Sequence, residues 1–421
     1  MKPSGIEWIG DIPDDWEVRK LLSLFKEHKD RNKNLREQNL LSLSYGKIKR
    51  KDINNNDGLL PASFETYNIV ENGDIVFRLT DLQNDKRSLR TGIVTQRGII
   101  TSAYVTIRPK IRLDSRFFHY LYHMYDICKV FYGMGDGVRQ GMGFEDLKNI
   151  PTLIPPLKTQ QKIADYLDKK CGEIDATIAK QKESIEKLKA YKQSLISETV
   201  TKGLDKSASL KPSGIDYLGD IPSHWEIKKL KFVANFNQNT LPEDTDGQFE
   251  LKYIDIGNVS SVDGIKEIQY FNFSNAPSRA RRIVKYGDII VSTVRTYLRA
   301  ITSIKEDYDN CICSTGFAVI TPKDNVQQDF VVYAIENESF IAQIIANSQG
   351  ISYPAINVSQ LENLKLAFPS IKKQKEIVDF LKIKLLEIDS TINKKQNIIQ
   401  KLDAYKKSLI FECVTGKHKI Y

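Results

Sequence analysis

The sequence predicts a mixed α/β (α+β) fold: two globular bodies attached to long antiparallel coiled-coil helices, arranged as an internal tandem repeat with pseudo-twofold symmetry. Three observations carry this expectation. The opening Lys2 to Leu21 (KPSGIEWIGDIPDDWEVRKL) returns at Lys211 to Leu230 (KPSGIDYLGDIPSHWEIKKL) with thirteen of twenty positions identical, 209 residues on. A heptad pattern at Ile174, Ile178, Gln181, Ile185, Leu188, Lys192 and Leu195 returns 214 residues later at Ile388, Ile392, Lys395, Ile399, Leu402, Lys406 and Leu409. An apolar repeat every 3.5 residues makes a seam that needs a partner helix, and the simplest partner for one copy is the other. Between opening and heptads, Asn72-Gly73-Asp74-Ile75-Val76 matches Tyr286-Gly287-Asp288-Ile289-Ile290. Two repeats are too few for a solenoid and suit a pseudo-dimer.

In chain order, each opening leads into a body of about 130 residues, within the range of an independent core. The Gly-Asp turns feed apolar runs that read as buried strands. Ser102 to Lys110 and Thr315 to Lys323 read as further strands, stopped at Pro109 and Pro322. Phe117 to Tyr132 and Phe330 to Ala346 read as mostly buried helices. Pro155-Pro156 and Pro369-Ser370 break the chain ahead of the long helices, because Pro cannot continue a helix but is tolerated just before one. Leu204 to Leu210 reads as a polar linker. The expected division is 1–153, a first body with its opening; 154–204, a first helical region; 205–366, linker and second body; and 367–421, a second helical region. The bodies keep a common skeleton and differ elsewhere, as expected if the helices do one job twice and the bodies do two versions of one job.

A net charge of +9 and a pI near 9.0 lean towards a polyanionic partner, which charge alone would not establish. The cysteines Cys128, Cys171, Cys311, Cys313 and Cys413 lack zinc-type spacing and read as reduced thiols, so a cytoplasmic location is expected. No run of eighteen apolar residues suggests a membrane span, and Met1-Lys2-Pro3 leads into polar sequence rather than a leader.

Cationic clusters fall at matching places in both bodies. In the first they are Lys47, Lys49, Arg50 and Lys51; Arg78 after the Gly-Asp strand; Lys86, Arg87 and Arg90 in the next loop; and Arg139-Gln140 in a Gly-rich stretch. In the second, Arg279, Arg281 and Arg282 precede the Gly-Asp turn, Arg295, Tyr297 and Arg299 follow its strand, and Ser352-Tyr353 stands where Arg139-Gln140 stands in the first. Arg and Gln can read guanine and adenine edges with two hydrogen bonds, and Lys suits phosphate, so these residues are the candidate double-stranded DNA contacts. No catalytic constellation emerges. Gly133 to Gly137 imitates an adenosylmethionine loop without the accompanying motif. Glu250-Leu251-Lys252 is too short for a nuclease site. His119 and His123 are one helical turn apart with no third ligand in view. No catalytic, cofactor or metal residue is therefore assigned.

The openings SGIEWIGDIPDDWEV and SGIDYLGDIPSHWEI, the Gly-Asp-Ile turns, the Pro-Pro-Leu…Gln-Gln-Lys-Ile-Ala element at 155–164 and the Ala-Tyr-Lys-Gln-Ser-Leu-Ile helices resemble the specificity (S) subunit of type I restriction–modification systems. The resemblance spans the whole chain, with a small departure at Lys373-Gln374-Lys375-Glu376. It implies a non-catalytic subunit in which each body reads one half of a split, asymmetric DNA site. The helices would set the gap and dock two methylation (M) subunits, with restriction (R) subunits joining. S-adenosylmethionine, ATP and Mg2+ would serve those partners and not this chain. A helix of about 40 residues would span roughly 60 Å, room for one or more DNA turns. A related type IIB subunit and a coiled-coil scaffold whose bodies bind protein remain the alternatives.

Overall fold

The computed structural model describes residues 1–53, 61, 63–82, 89–134, 141–260, 264–350 and 354–420. The chain forms two compact units, Met1–Lys182 with Gln396–Tyr421, and Glu183–Lys395.

In the first unit the opening folds as a small hairpin, Lys2–Pro3 against Asp11–Ile12. Glu17–Lys20 then pairs with Pro151–Ile154, returning the end of the body to its beginning. The central sheet has four antiparallel strands in the order Phe25–Glu27, Val105–Pro109, Ile75–Phe77, Thr91–Ile93. Two further two-stranded ribbons, Leu41–Ser44 with Lys47–Arg50 and Asn68–Val70 with Gly98–Ile100, complete the body. The helix Ser115–Ile127 buries Phe117, Phe118, Leu121, Tyr122 and Tyr125 in one core. That core also takes Ile9, Ile12 and Trp16 of the opening, Ile163, Leu167, Ile174 and Ile178 of one long helix, and Leu409, Ile410, Cys413 and Val414 of the other. Both long helices thus present their apolar stripes to it, as an amphipathic helix must.

The second unit repeats this scheme. Its hairpin is Leu210–Pro212 with Asp220–Pro222, and its closing pair is Glu226–Lys229 with Lys365–Phe368. The central sheet runs Ala234–Phe236, Phe317–Pro322, Ile289–Ser292, Ile301–Ser303, the same order as in the first. In place of the two ribbons stands a second four-stranded sheet, Gln269–Asn272, Glu250–Ile254, Ile312–Ser314, Ala280–Ile283, with one parallel pairing. The core draws on Ile221 and Trp225, on Ile196 and Val200 of the first long helix, and on Ile377, Val378 and Leu381 of the second.

The expected Gly-Asp strands are present, and the glycines are needed for backbone reasons. Gly73 and Gly287 have φ of +89° and +90°, a region disfavoured for side chains. The aspartates after them are buried: the Asp74 carboxylate accepts two 2.7 Å bonds from the Arg108 guanidinium, and Asp288 accepts a 2.6 Å bond from Thr321 Oγ1. The helix expected over 330–346 is instead two helices, Gln328–Glu336 and Glu338–Ala346. Asn337 between them is extended and caps the second by accepting from Ser339 N–H, a local bond that outcompetes helix continuation. In the first unit Lys129, at φ +61°, ends the corresponding run.

The long helices are Leu157–Lys202 and Ile371–Val414, each starting directly after its proline break. Ile174, Ile178, Ile185, Ile388, Ile392 and Leu409 of the expected seam are buried, while Leu188, Leu195, Ile399 and Leu402 are half-buried. The lysines of the seam find aspartates. Lys406 Nζ lies 2.6 Å from Asp175 in the first unit, and Lys192 Nζ lies 2.7 Å from Asp389 in the second. Within the first unit Tyr166 stacks on His418, just past the second long helix, and Asp175 meets Lys406, so numbers rise on one helix as they fall on the other and the two are antiparallel there. Among the described residues no helix is long and apolar enough to cross a membrane.

Candidate nucleic-acid interface

In the first unit, Leu41–Ser44 and Lys47–Arg50 join through Tyr45-Gly46, both at positive φ, which gives the tight turn that suits a twisted hairpin. Alternation leaves Lys47 and Lys49 on the exposed face while Ile48 packs towards Val76 and Ile100, and Arg50 and Lys51, at the end of the ribbon, are exposed as well. Lys47 Nζ reaches within 3.6 Å of Asp175. Arg78 is exposed at the end of the Gly-Asp strand. Arg90 corrects the sequence reading. It is only 8% exposed, its N–H donates to Asp126, and its guanidinium donates to the carbonyls of Arg78, Thr80 and Asp81. It fixes the loop from inside. Lys86, Arg87, Arg139 and Gln140 lie outside the described residues.

In the second unit Arg279 is exposed, and Arg281 lies 4.6 Å over the Phe273 ring. A β-bulge between Ala280 and Arg282 re-aims this stretch. Arg282 is partly desolvated, which lowers its affinity for the proton, and its Nε has no partner. Arg295 and Arg299 flank the exposed Tyr297. Ser352 and Tyr353 lie outside the described residues.

The structure brings together what the sequence only aligned. In the second unit the loop after the Gly-Asp strand docks on the segment after the helices: Ile356 N donates to Thr293 O at 2.9 Å, and Val294 bridges Ala355. In the first unit Met142 N donates to Leu79 O at 2.9 Å, the equivalent contact. Arg279 joins the same cluster, because Thr315 N donates to its carbonyl and Thr293 N donates to Gly316 O, each at 2.8 Å. In the second unit cationic side chains thus come from loops tied to one sheet, whereas in the first Arg78 ends a strand of the central sheet and Lys47 to Arg50 stand on a separate ribbon.

The decoys have structural roles. His119 and His123 are half-buried with rings 6.3 Å apart, and desolvation lowers their pKa values to about 4 and about 3. They line a cavity of about 420 Å3 with Cys171, Asp175 and Lys406. Among the described residues no group of three His, Cys, Asp or Glu side chains could hold a metal.

Sequence reasoning missed one pair entirely. Gln160 is 4% exposed; its Nε2 donates to Pro155 O at 2.8 Å and its Oε1 accepts from Asp114 N at 3.0 Å. Gln374 repeats this with Pro369 O and Gln327 N, both at 2.9 Å. Each locks the start of a long helix to the start of its body helix. The signal was the recurrence of Gln 214 residues apart.

The chain is similar to known proteins over most of its length. A family model described as the type I restriction modification DNA specificity domain matches residues 13–189 and again 222–402. The type I restriction enzyme MjaVIII specificity subunit of Methanocaldococcus jannaschii is 23% identical over 97% of this chain and 94% of its own length. The EcoBI specificity subunit of Escherichia coli is 24% identical over 63% of this chain and 57% of its own. Among solved structures, a chain from work on complex assembly and conformational transition of the type I restriction–modification system superposes with a TM-score of 0.71. Its identity is 14%, covering 97% of this chain and 100% of that one. The HsdS subunit of Thermoanaerobacter tengcongensis gives 0.52 at 15% identity, covering 97% and 98%.

Proposed function

The chain belongs to the type I restriction–modification DNA specificity domain family, and from that premise we propose that it is the specificity subunit of such a complex, each body reading one half of a bipartite, asymmetric site. The observation that carries this reading is one scaffold presenting two chemistries. Central sheets of identical strand order carry different additions: the first body adds a lysine-rich hairpin, the second an arginine-rich strand and loop. Different side chains read different bases, while phosphate contacts set affinity.

The long helices would fix the gap between half-sites and dock the partners. Tyr191 and Tyr405, 214 residues apart, are 56% and 55% exposed on the helices. Tyr191 lies near Lys384, which pairs with Glu387, and Tyr405 lies likewise near Lys170, which pairs with Glu173. The same aromatic and charged face, presented once per unit, suits two copies of one methylation subunit. Restriction subunits would complete the nuclease, and S-adenosylmethionine, ATP and Mg2+ would be used by the partners.

The test is a genome-wide map of methylated bases with and without the gene. One bipartite motif should lose its mark on deletion, and unchanged maps would count against the reading. A heptad inserted after Lys187 and another opposite it, after Ser390 to Lys394, should widen the gap by about 3 base pairs and leave both half-sites unchanged.

A further inference from the structure

The loop Arg295 to Arg299 of the second unit has features that base reading by arginine does not require. Arg295 and Arg299 both hold left-handed backbone, at φ +51° and +52°. Such angles are uncommon for side-chain-bearing residues, and they persist only where surroundings impose them. Here Thr296, 5% exposed, is the anchor: its N–H donates to Pro354 O at 3.4 Å and its hydroxyl shares a 2.9 Å bond with Ser348 Oγ. Arg299 is steadied by an ion pair with Glu338. The result is a short helical turn, Thr296–Leu298, whose outward side chains are Tyr297 at 53% and Leu298 at 50% exposed. An aromatic and an aliphatic side chain are held in water, side by side, between two arginines on a strained and anchored tip.

The matching loop of the first unit supplies an internal reference. Asp81 stands at the position of Arg295 and shares its left-handed backbone at φ +57°, so the kink is common to both. Leu82 stands at the position of Thr296 and is buried like it, at 0% against 5% exposed, while the sequence has polar Gln83 and Asn84, outside the described residues, where the second unit has Tyr297 and Leu298. The fold therefore does not require apolar groups at this tip.

We propose that this tip is a wedge that enters a base step of bound duplex DNA: Leu298 inserts between adjacent base pairs, Tyr297 stacks on the base so exposed, and the flanking arginines hold the phosphates on either side. Apolar side chains inserted between base steps unstack and kink DNA, and flexible pyrimidine–purine steps yield at least cost. The second half-site then carries specificity at a step whose base edges no side chain touches. A rigid, pre-set tip suits this work, because a mobile one would spend binding free energy on its own ordering.

The inference rests on the DNA-reading function proposed above. The test uses the full chain, assembled with its methylation subunits, and a duplex bearing the bipartite motif with 2-aminopurine placed at successive positions of the second half-site. Expected is a severalfold fluorescence rise at one step when the wild-type protein binds, lost in Leu298→Ala at saturating protein and retained in Leu298→Met. Specific binding with no rise at any position would overturn the wedge and leave recognition standing. So would a rise that persists in Leu298→Ala. If Leu298→Ala abolishes binding, Leu298→Met must restore both binding and the rise, and failure to do so also overturns the wedge. If the wild type shows no preference for the motif over scrambled duplex, the recognition function itself falls, and the wedge with it.

Discussion

The two units solve the same packing problem with contacts that agree at some points and are inverted at others. Where the long helices meet each other the contacts agree: Lys406 with Asp175, and Lys192 with Asp389. Where a body helix meets its long helix the charges are exchanged. Arg116 bonds Asp165 and Asp168 at 2.8 and 2.9 Å in the first unit, whereas Asp329 bonds Lys382 at 2.6 Å in the second. Beneath the inter-helix pairs, His123 of the first unit is replaced by Glu336 in the second. The difference separates two kinds of constraint. A contact between the helices answers to both halves and stays fixed. A contact inside one half can change sign when both sides change together.

The largest expected effect tests a contact that lies inside each half and yet agrees between the two. Gln160→Ala should strand the Asp114 N–H and the Pro155 carbonyl, and Gln374→Ala the Gln327 N–H and Pro369 carbonyl. A buried amide lost this way costs about 2 kcal/mol. Chemical denaturation should show the same loss in both variants. A clear inequality would mean that the clamp is not equivalent in the two units.

The next effect comes from the position that differs. Burial raises Glu336 to about 7, with Lys192 opposing the shift. The folded second unit therefore binds a proton more readily than the unfolded chain, and this group's contribution falls as pH rises from about 4.5 to about 7. Burial lowers His123 to about 3, aided by His119, Lys406 and Lys407. The folded first unit binds its proton less readily, and that contribution rises as pH climbs from about 3 to about 6.5. The same place in the two units thus gives opposite pH slopes. Glu336→Gln should remove the falling slope and stabilise the protein above neutral pH, and His123→Gln should remove the rising one. Denaturation at a series of pH values reads both, and slopes of the same sign would contradict the assignment.

What the sequence made legible was whatever repeats with a period. The heptads, the openings and the Gly-Asp strands recur at fixed offsets, and each is an element of the structure. Even the polar heptad positions Lys192 and Lys406 were visible, but their partners Asp389 and Asp175 follow only from antiparallel register. Legibility ended where a side chain acts against its type. Arg90 reads as surface charge and is instead bonded to three carbonyls within its own loop. Gln160 and Gln374 sit in motifs the sequence makes visible, but nothing in an amide side chain marks them as buried clamps. Asn337 interrupts an apolar run by capping the helix after it, a local bond that periodicity does not register. The meeting of Leu79 with Met142, and of Thr293 with Ile356, depends on strand order, which no local pattern encodes.

The smallest effect asks whether the inverted pairs are interchangeable. Arg116→Asp would place an acid beside Asp114, Asp165 and Asp168, and should cost about 1 kcal/mol, since Asp165 and Asp168 are exposed and screened while the less exposed Asp114 keeps the cost from vanishing. Adding Asp168→Lys recreates the polarity of the second unit and should recover about half of that, because Asp165 and Asp114 still lack their arginine. The reverse change, Asp329→Arg, loses only Lys382 and has Asp379, the counterpart of Asp165, within the same charged group. Its cost should therefore be the smaller of the two. A double-mutant cycle reads the coupling directly. If Asp168→Lys recovers nothing in the Arg116→Asp background, the exchange of charges is not a compensated pair, and the bodies are held to the helices by their apolar cores alone.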